Sequence, residues 1–203
     1  TPIGYEWYIS QNANTHTTGA FAGTGRVNGA NQSGASLITD GWTVTTSVLQ
    51  DGDVFTIANV NSVNPQSRQN TGSLQQFVVT ADVTASGTGA KTIAISPSIT
   101  ASGAQQTVNA LPADDALITV VGAASTATPQ GLAFHRDAFT LVSADLPLPG
   151  GVDMAARISD PQLGLSIRMV RAYDINTDNF PCRLDILYGW RTLRPELACR
   201  IQG

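Results

Sequence analysis

The C-terminal stretch that decides the fold begins GLAFHRDAFTLVSADLPLPGG at residues 131–151 and ends RLDILYGWRTLRPELACRI at residues 183–201. An aromatic and charged segment, residues 134–139, opens a predicted strand that runs into an acidic, proline-containing turn. A basic segment, LSIRMVRAYD at residues 165–174, predicts a second strand, and a short polar turn separates it from the last long one. Apolar runs separated by such turns are typical of a β-sheet.

Alternation gives the two long strands of this stretch distinct faces. In residues 165–173 the apolar Leu165, Ile167 and Met169 alternate with Arg168 and Val170. In residues 183–191 the even-numbered side chains form an apolar face, and the opposite face carries Asp185 and Leu187. The apolar face consists of Leu184, Ile186, Tyr188 and Trp190. Successive side chains point to opposite sides of a strand, so each strand is expected to have an apolar face.

Shorter strands are predicted before residue 130. Residues 53–60 alternate, with Val54, Thr56, Ala58 and Val60 on one side and Phe55, Ile57 and Asn59 on the other. Residues 73–83 place four side chains on one face: Phe77, Val79, Ala81 and Val83. Residues 91–99 and 116–121 supply two more strands. Because no segment here keeps a helical period, we expect a mainly β fold (α+β at most) containing a small barrel or sandwich.

Composition excludes several classes of function. Charged residues make up 13% of the chain, against roughly 25% in an average soluble protein. The net charge of −4 argues against a nucleic-acid footprint over the whole protein. No apolar run approaches the ~20 residues of a membrane-spanning helix, and the first residues do not form a signal sequence.

Charge divides the chain near residue 130. Residues 1–130 hold three cations and seven acids, whereas residues 131–203 hold eight of each. Between them, residues 123–131 (AASTATPQG) predict a linker or a domain crossing. Residues 10–36 are rich in glycine and poor in large apolar side chains, and they predict an extended loop.

The candidate catalytic and metal-binding patterns are all incomplete. Asp174, Asn176 and Asp178 have the spacing of a calcium loop, but Asn179 stands where that loop needs glycine, so a polar turn is favoured. His135, Asp137, Ser143 and Asp145 include the residue types of a hydrolytic triad without a G-x-S-x-G elbow. His16 has no zinc-ligand partner at a suitable spacing, and no phosphate-binding glycine loop occurs. We therefore assign no catalytic, metal or cofactor residue.

Two further features concern cysteine and arginine. Cys182 and Cys199 stand in apolar-rich segments and are interpreted as buried free thiols, with a disulfide possible only between neighbouring strands. Arginines cluster in the C-terminal part, where the eight acids supply partners. Since the planar guanidinium suits paired contacts with carboxylates, we expect intersubunit or internal salt bridges rather than contact with nucleic acid. Four arginines are expected to lie mainly on the surface and to form subunit contacts: Arg168, Arg171, Arg191 and Arg194.

The ordered elements after residue 130 (FHRDAF, ADLPLP, LSIRMVRAYD and RLDILYGWRTLRPELACRI) resemble the C-terminal end of the major capsid (coat) proteins of tailed bacteriophages. The resemblance is to the short-tailed phage subfamily, whose capsid fold carries an inserted β-barrel domain. It implies that this chain corresponds to the C-terminal half of a coat protein, with the family's N-terminal arm, extended loop and spine helix preceding Thr1.

The same resemblance implies a domain plan and partners. Residues 1–12, with Tyr5, Trp7 and Tyr8, would be a strand leaving the capsid core, residues 13–128 the inserted barrel, and residues 129–203 the return into the core. The implied partners are copies of the chain in hexamers and pentamers, together with scaffolding and portal proteins, without a specific nucleic-acid sequence or a membrane. The implied location is the virion capsid, assembled in the host cytoplasm around phage DNA.

Two other classes of protein remain open from the residues alone. A β-sandwich binding module, carbohydrate-binding or adhesin-like, would use the Thr/Ser/Asn-rich surface and an exposed aromatic platform of Trp7, Trp42 and Trp190. A hydrolase would need a nucleophile–base pair or convergent acids, which the spacing does not supply.

Overall fold

The computed structural model describes residues 6–43, 45–85 and 90–202, and in these residues it confirms a mainly β fold. A 3₁₀ turn, Pro195–Leu197, is the helical element among the described residues. In the described part of the chain no helix is long and apolar enough to cross a membrane. The strands are β1 Thr15–Thr17, β2 Gly23–Val27, β3 Gly34–Trp42, β4 Thr45–Leu49, β5 Val54–Val63, β6 Asn70–Val79, β7 Val83–Ala85, β8 Lys91–Ile99, β9 Ile118–Val120, β10 Ala127–Phe134, β11 Phe139–Ala144, β12 Met154–Asp160, β13 Leu165–Arg171, β14 Cys182–Thr192 and β15 Ala198–Gln202.

The chain divides into two compact units. The first takes the described residues up to Gln130 together with Gln202, and we call it the barrel unit. The second takes Gly131–Ile201, and we call it the C-terminal unit. Strand β10 carries the chain from the first unit into the second, where the sequence predicts a linker.

The barrel unit closes one sheet on itself. Among the described residues six strands pair in the order β2-β3-β8-β6-β5-β9. The two end strands then meet, because Val27 N–H donates to Ala116 O at 3.0 Å and Asp115 N–H donates to Val27 O at 2.9 Å. Among the described residues these contacts join the two end strands of the sheet, as in a closed barrel.

Strand alternation fills the barrel with apolar side chains, as the sequence predicts. Phe55 and Phe77 pack with ring centroids 5.7 Å apart, and Ile93 and Ile95 face the same core. The remaining buried core residues of this cluster are Val27, Leu37, Trp42, Val48, Leu49, Ile57, Val60, Val79, Val83, Ile99, Val108 and Ile118.

The face predicted for Val60 is wrong. Simple alternation places Val60 with Val54, but the structure buries it together with Phe55 and Ile57. Asn59 has a positive φ of 64°, and the β5–β6 register shifts between Thr56 and Asn61. The extra residues on β5 change the parity of the strand at this point and turn Val60 toward the core.

The long loop predicted for residues 10–36 is also wrong. The segment forms β1, β2 and the start of β3, and it contributes Val27 to the core. Strand β1 pairs with residues 127–129 of β10. Of the strand predicted for residues 1–12, residues 1–5 with Tyr5 lie outside the described residues, and residues 6–12 form no strand.

The C-terminal unit is built on an antiparallel sheet with the order β11-β14-β13-β12. In its register, Ile158 lies opposite Ile167, which in turn lies opposite Ile186. Across β11 and β14, Leu141 lies opposite Trp190.

The predicted burial of the two cysteines is wrong, because Cys182 and Cys199 are both exposed free thiols.

Candidate assembly surface

The C-terminal unit has almost no interior of its own. Within Gly131–Ile201 the buried residues are Ala138 and Ser166, whereas the barrel unit buries a continuous apolar cluster. A sheet gains stability by packing one face against a second layer. The sheet of the C-terminal unit therefore presents surface that such a layer would cover.

One side of this sheet is an exposed apolar face, which the register defines. Ile158, Ile167 and Ile186 form a row across three strands, and their side chains are 78%, 46% and 43% exposed. Further along β14 the same side carries large exposed side chains. The apolar face consists of Leu141, Ile158, Ile167, Leu184, Ile186, Tyr188 and Trp190. Contiguous apolar surface of this kind marks an interaction site.

The opposite side of β12 and β13 is polar and internally satisfied. Arg168 donates from Nε to Asp185 Oδ2 at 3.1 Å, and Arg183 reaches Asp185 Oδ1 at 2.8 Å. Hydrogen bonding from Arg168, with the charges of both arginines, lowers the pKa of Asp185 below its usual value. The carboxylate therefore joins neighbouring strands at neutral pH.

A second carboxylate pairs with Arg157, which faces Arg168 across β12 and β13. Asp145 lies 3.4 Å from the Arg157 guanidinium. Its pKa is lowered, first by a hydrogen bond from Ser166 and further by the charge of Arg157. Arg168 also donates to Pro147 O at 2.6 Å, so the segment after β11 is tied to this polar side. These contacts offset the repulsion between two facing cations.

Arg171 is held at the end of β13. Its guanidinium lies 2.7 Å from Asp153 Oδ2 and 5.6 Å from the ring centroid of Phe180. The Phe180 ring packs at a tilt against the Tyr173 ring, with the ring centroids 5.2 Å apart. The ion pair combines with a cation–π contact, and Arg171 remains partly exposed.

Arg191 and Arg194 differ from these two arginines. Both are exposed, and in the described part of the chain neither has a carboxylate within ion-pair distance. Arg194 lines an open groove beside Phe139 and Leu193. Of the four arginines singled out from the sequence, the structure pairs Arg168 and Arg171 within the unit and leaves Arg191 and Arg194 available.

Sequence reasoning missed Asp145 and Asp153 as partners, because they lie 12 and 18 residues before their arginines, Arg157 and Arg171.

The residues considered for catalysis do not converge. His135 Nδ1 lies 3.5 Å from Asp137 on an exposed turn. The Ser143 hydroxyl is engaged elsewhere, since it donates to Gly164 O at 2.7 Å and accepts from Ser166 N–H at 3.0 Å. Among the described residues no group of three His, Cys, Asp or Glu side chains is placed to hold a metal ion.

The predicted polar turn at residues 174–179 is confirmed. Asp174 and Asn179 form a bridge that closes the turn between β13 and β14. The Asp174 carboxylate accepts from Asn176 N–H at 3.0 Å and from the Thr177 hydroxyl at 2.9 Å. These bonds, led by the one from the Asn176 backbone, lower the pKa of Asp174. The oxygens of the Asp174 carboxylate are therefore used in hydrogen bonds within the turn.

The aromatic platform expected of a binding module is not formed as predicted. Trp42 is 8% exposed and belongs to the barrel core. Its Nε1–H donates to the Thr39 hydroxyl at 2.9 Å, which satisfies the buried indole. Trp7 and Trp190 are exposed, but the three tryptophans do not share one exposed surface.

A closed β-barrel, an uncovered apolar sheet and surface arginines define a structural subunit that builds contacts with other chains. Residues 3–203 match the model of the P22 coat protein family, gene protein 5. The chain belongs to that family, and the predicted relationship to phage coat proteins is confirmed. It is a major capsid subunit that assembles with copies of itself into the virion shell.

Part of the chain is similar to the solved structure of the CUS-3 coat protein I-domain. That structure shares 29% sequence identity, and the match covers 49% of this chain and 96% of that one, with a TM-score of 0.36. No curated protein matches the chain.

Proposed function

We propose that the two units have separate roles in the shell: residues 13–128 form the inserted barrel domain, and residues 129–203 belong to the capsid core, with residues 1–12 leading out of it. The observation that carries this proposal is the difference in their interiors. The barrel unit buries Phe55, Phe77 and their neighbours, whereas the sheet of the C-terminal unit leaves its apolar face in solvent.

The apolar face is the main assembly surface in this proposal. Burying apolar area stabilises a contact by about 25 cal/mol per Å², and large side chains such as Trp190 and Leu184 are more than two-thirds exposed. Neighbouring subunits, or the N-terminal segments that the family resemblance implies, supply the second layer. The shell is then an icosahedral head of hexamers and pentamers that encloses phage DNA.

The four arginines contribute further polar contacts in this proposal. Arg191 and Arg194 meet carboxylates outside the chain, since the described residues offer them none. Arg168 and Arg171 hold Asp185 and Asp153 in position, and Arg171 keeps enough exposure for a further contact. Ion pairs at exposed sites contribute only ~0–1 kcal/mol each, but identical contacts repeat across a shell of many copies.

The subunit acts without catalysis, metal or cofactor in this proposal, and its other partners are scaffolding and portal proteins during assembly in the host cytoplasm. The incomplete triad and the engaged Ser143 hydroxyl support a structural role.

Substitutions on the apolar face test the proposal. In the coat protein, Ile158→Asp and Ile186→Asp should each abolish particle formation, because a charge on a covered apolar surface loses its hydration. Particle yield is measured by sedimentation and negative-stain microscopy. Leu74→Asp is the matched control, because Leu74 is a comparably exposed apolar residue of the barrel. Normal shells from both isoleucine variants would refute the assigned surface.

A further inference from the structure

An open groove lies at the end of the β11–β14 pair, with a volume of about 380 Å³. Phe139 and Leu193 give it an apolar lining, and Thr140 lies beside them. Its charged lining residues are Arg136, Arg194 and Asp137. Arg191 lies opposite Thr140 in the register, so its side chain projects on the same side of the sheet as Thr140.

The groove carries an excess of positive charge. Asp137 is its one lining carboxylate among the described residues, and it lies 3.5 Å from His135 and 3.7 Å from Arg136. Arg191 and Arg194 are left for a partner. Because a guanidinium presents a planar set of donors, two of them beside an apolar wall favour a carboxylate-bearing peptide segment.

The barrel unit has an excess of negative charge. Residues 1–130 hold seven acids against three cations, and among the described residues Asp53 is the carboxylate of this unit that has an ion-pair partner, His16. Asp114 and Asp115 form an adjacent exposed pair. No other two acids of this unit are neighbours in sequence.

Hydrogen bonds fix the loop that presents Asp114 and Asp115. Asp114 Oδ1 accepts from Gly29 N–H at 2.7 Å, and Asp115 N–H donates to Val27 O at 2.9 Å. Asn31 N–H donates to Pro112 O at 2.9 Å on the same loop. A segment that is already ordered loses little conformational entropy when it binds.

We propose that the groove around Arg191 and Arg194 receives the Asp114–Asp115 segment of a second copy of this chain. The inference rests on the proposed role of these arginines in subunit contacts, and it names their partner. Charge complementarity selects a second copy, because the chain itself supplies both the acidic segment and the arginine groove. Each subunit then gives one such contact and receives another, as a closed or extended array of identical subunits requires.

A charge exchange in the coat protein tests the partner. Arg191→Glu with Arg194→Glu should lower particle yield at least about tenfold, because like charges then face each other. Adding Asp114→Asn with Asp115→Lys should restore most of that yield. Asparagine at 114 keeps the oxygen that accepts from Gly29 N–H.

The matched control uses another acidic pair of the barrel. Asp82 Oδ1 accepts from Asp51 N–H at 2.8 Å, which parallels the Asp114–Gly29 contact. Asp82→Asn with Asp51→Lys therefore makes the same change of charge while keeping the acceptor, and it should not restore assembly. Thermal melting of each soluble subunit verifies folding, and the milder Arg191→Gln with Arg194→Gln serves if the glutamate variant does not fold.

The outcomes distinguish the role of the arginines from the identity of their partner. Normal yield from the Arg191→Glu, Arg194→Glu variant overturns the proposed role of the arginines. Reduced yield that neither acidic exchange restores, or that both restore equally, overturns the partner and leaves that role standing. Co-assembly of the arginine variant with the Asp114→Asn, Asp115→Lys variant should recover particles between chains; recovery only when all changes share one chain overturns the second-copy contact. Normal shells with reduced DNA content would instead assign the groove to nucleic-acid phosphate.

Discussion

The buried carboxylate of Asp53 holds several chain segments together at the turn before β5. Asp53 is fully buried as a side chain, and its Oδ1 lies 2.9 Å from His16 Nε2. Its Oδ2 accepts from Gly19 N–H at 3.1 Å and from Gln50 N–H at 2.7 Å. These bonds connect β1 and the segment after it to the turn before β5. A glycine-rich stretch with few large apolar side chains is thereby ordered in part through polar contacts.

Asp53→Ala should lower the free energy of unfolding by about 2–4 kcal/mol, because it leaves buried N–H donors without an acceptor. Urea denaturation followed by circular dichroism measures the change. Asp51→Ala, at an exposed position in the same turn, should change the free energy by less than about 0.5 kcal/mol. Equal effects from the two substitutions would remove the structural role assigned to Asp53.

At the scale of strands, ion pairs join β13 and β14 across their polar side. Arg168 and Asp185 are directly opposite in the register, and Arg183 approaches the same carboxylate from its own strand. The cross-strand pair fixes the register that places Ile167 opposite Ile186 on the apolar face. Polar pairing on one side thus helps to set the geometry of the apolar face on the other.

This pairing predicts a pH dependence of stability. The pKa of Asp185 is lower in the folded chain than in the unfolded one. Its contribution is therefore fully present above the ordinary carboxyl value of about 3.9 and is lost as the pH falls through the lower folded value. The denaturation midpoint of Asp185→Asn should lie below that of the unsubstituted coat protein at pH 7, and the gap should close in strong acid. A gap that stays constant into strong acid would contradict the pairing.

At the scale of the whole molecule, the two units differ in what they need from other chains. The barrel unit has a closed sheet and its own core. The sheet of the C-terminal unit exposes large apolar side chains and buries almost none. We therefore propose that the barrel unit folds by itself, whereas the C-terminal unit is completed by contact with other chains.

Residues 13–128 expressed alone should therefore give a soluble β-rich domain that melts cooperatively, whereas residues 131–201 alone should aggregate or remain unfolded. Far-ultraviolet circular dichroism and differential scanning calorimetry test the first expectation, and sedimentation tests the second. A disordered spectrum for residues 13–128, or a monomeric folded domain from residues 131–201, would contradict this division of stability.

The sequence by itself determined the features that depend on neighbouring residues. Alternation predicted β5, β6, β13 and β14, because side-chain direction follows from the two-residue period of a strand. The order of segments after residue 130 predicted the coat-protein family, since several elements had to match together.

Only the tertiary structure decided features that depend on distant residues. The bulge at Asn59 brought Val60 into the core, and Asp53 ordered a segment that looks like a loop in sequence. The partners of Arg157 and Arg171 depended on how loops return over the sheet. Cys182 and Cys199 lie in apolar segments yet are exposed, because an apolar pattern specifies which face is to be covered, whereas burial requires a second layer to cover it.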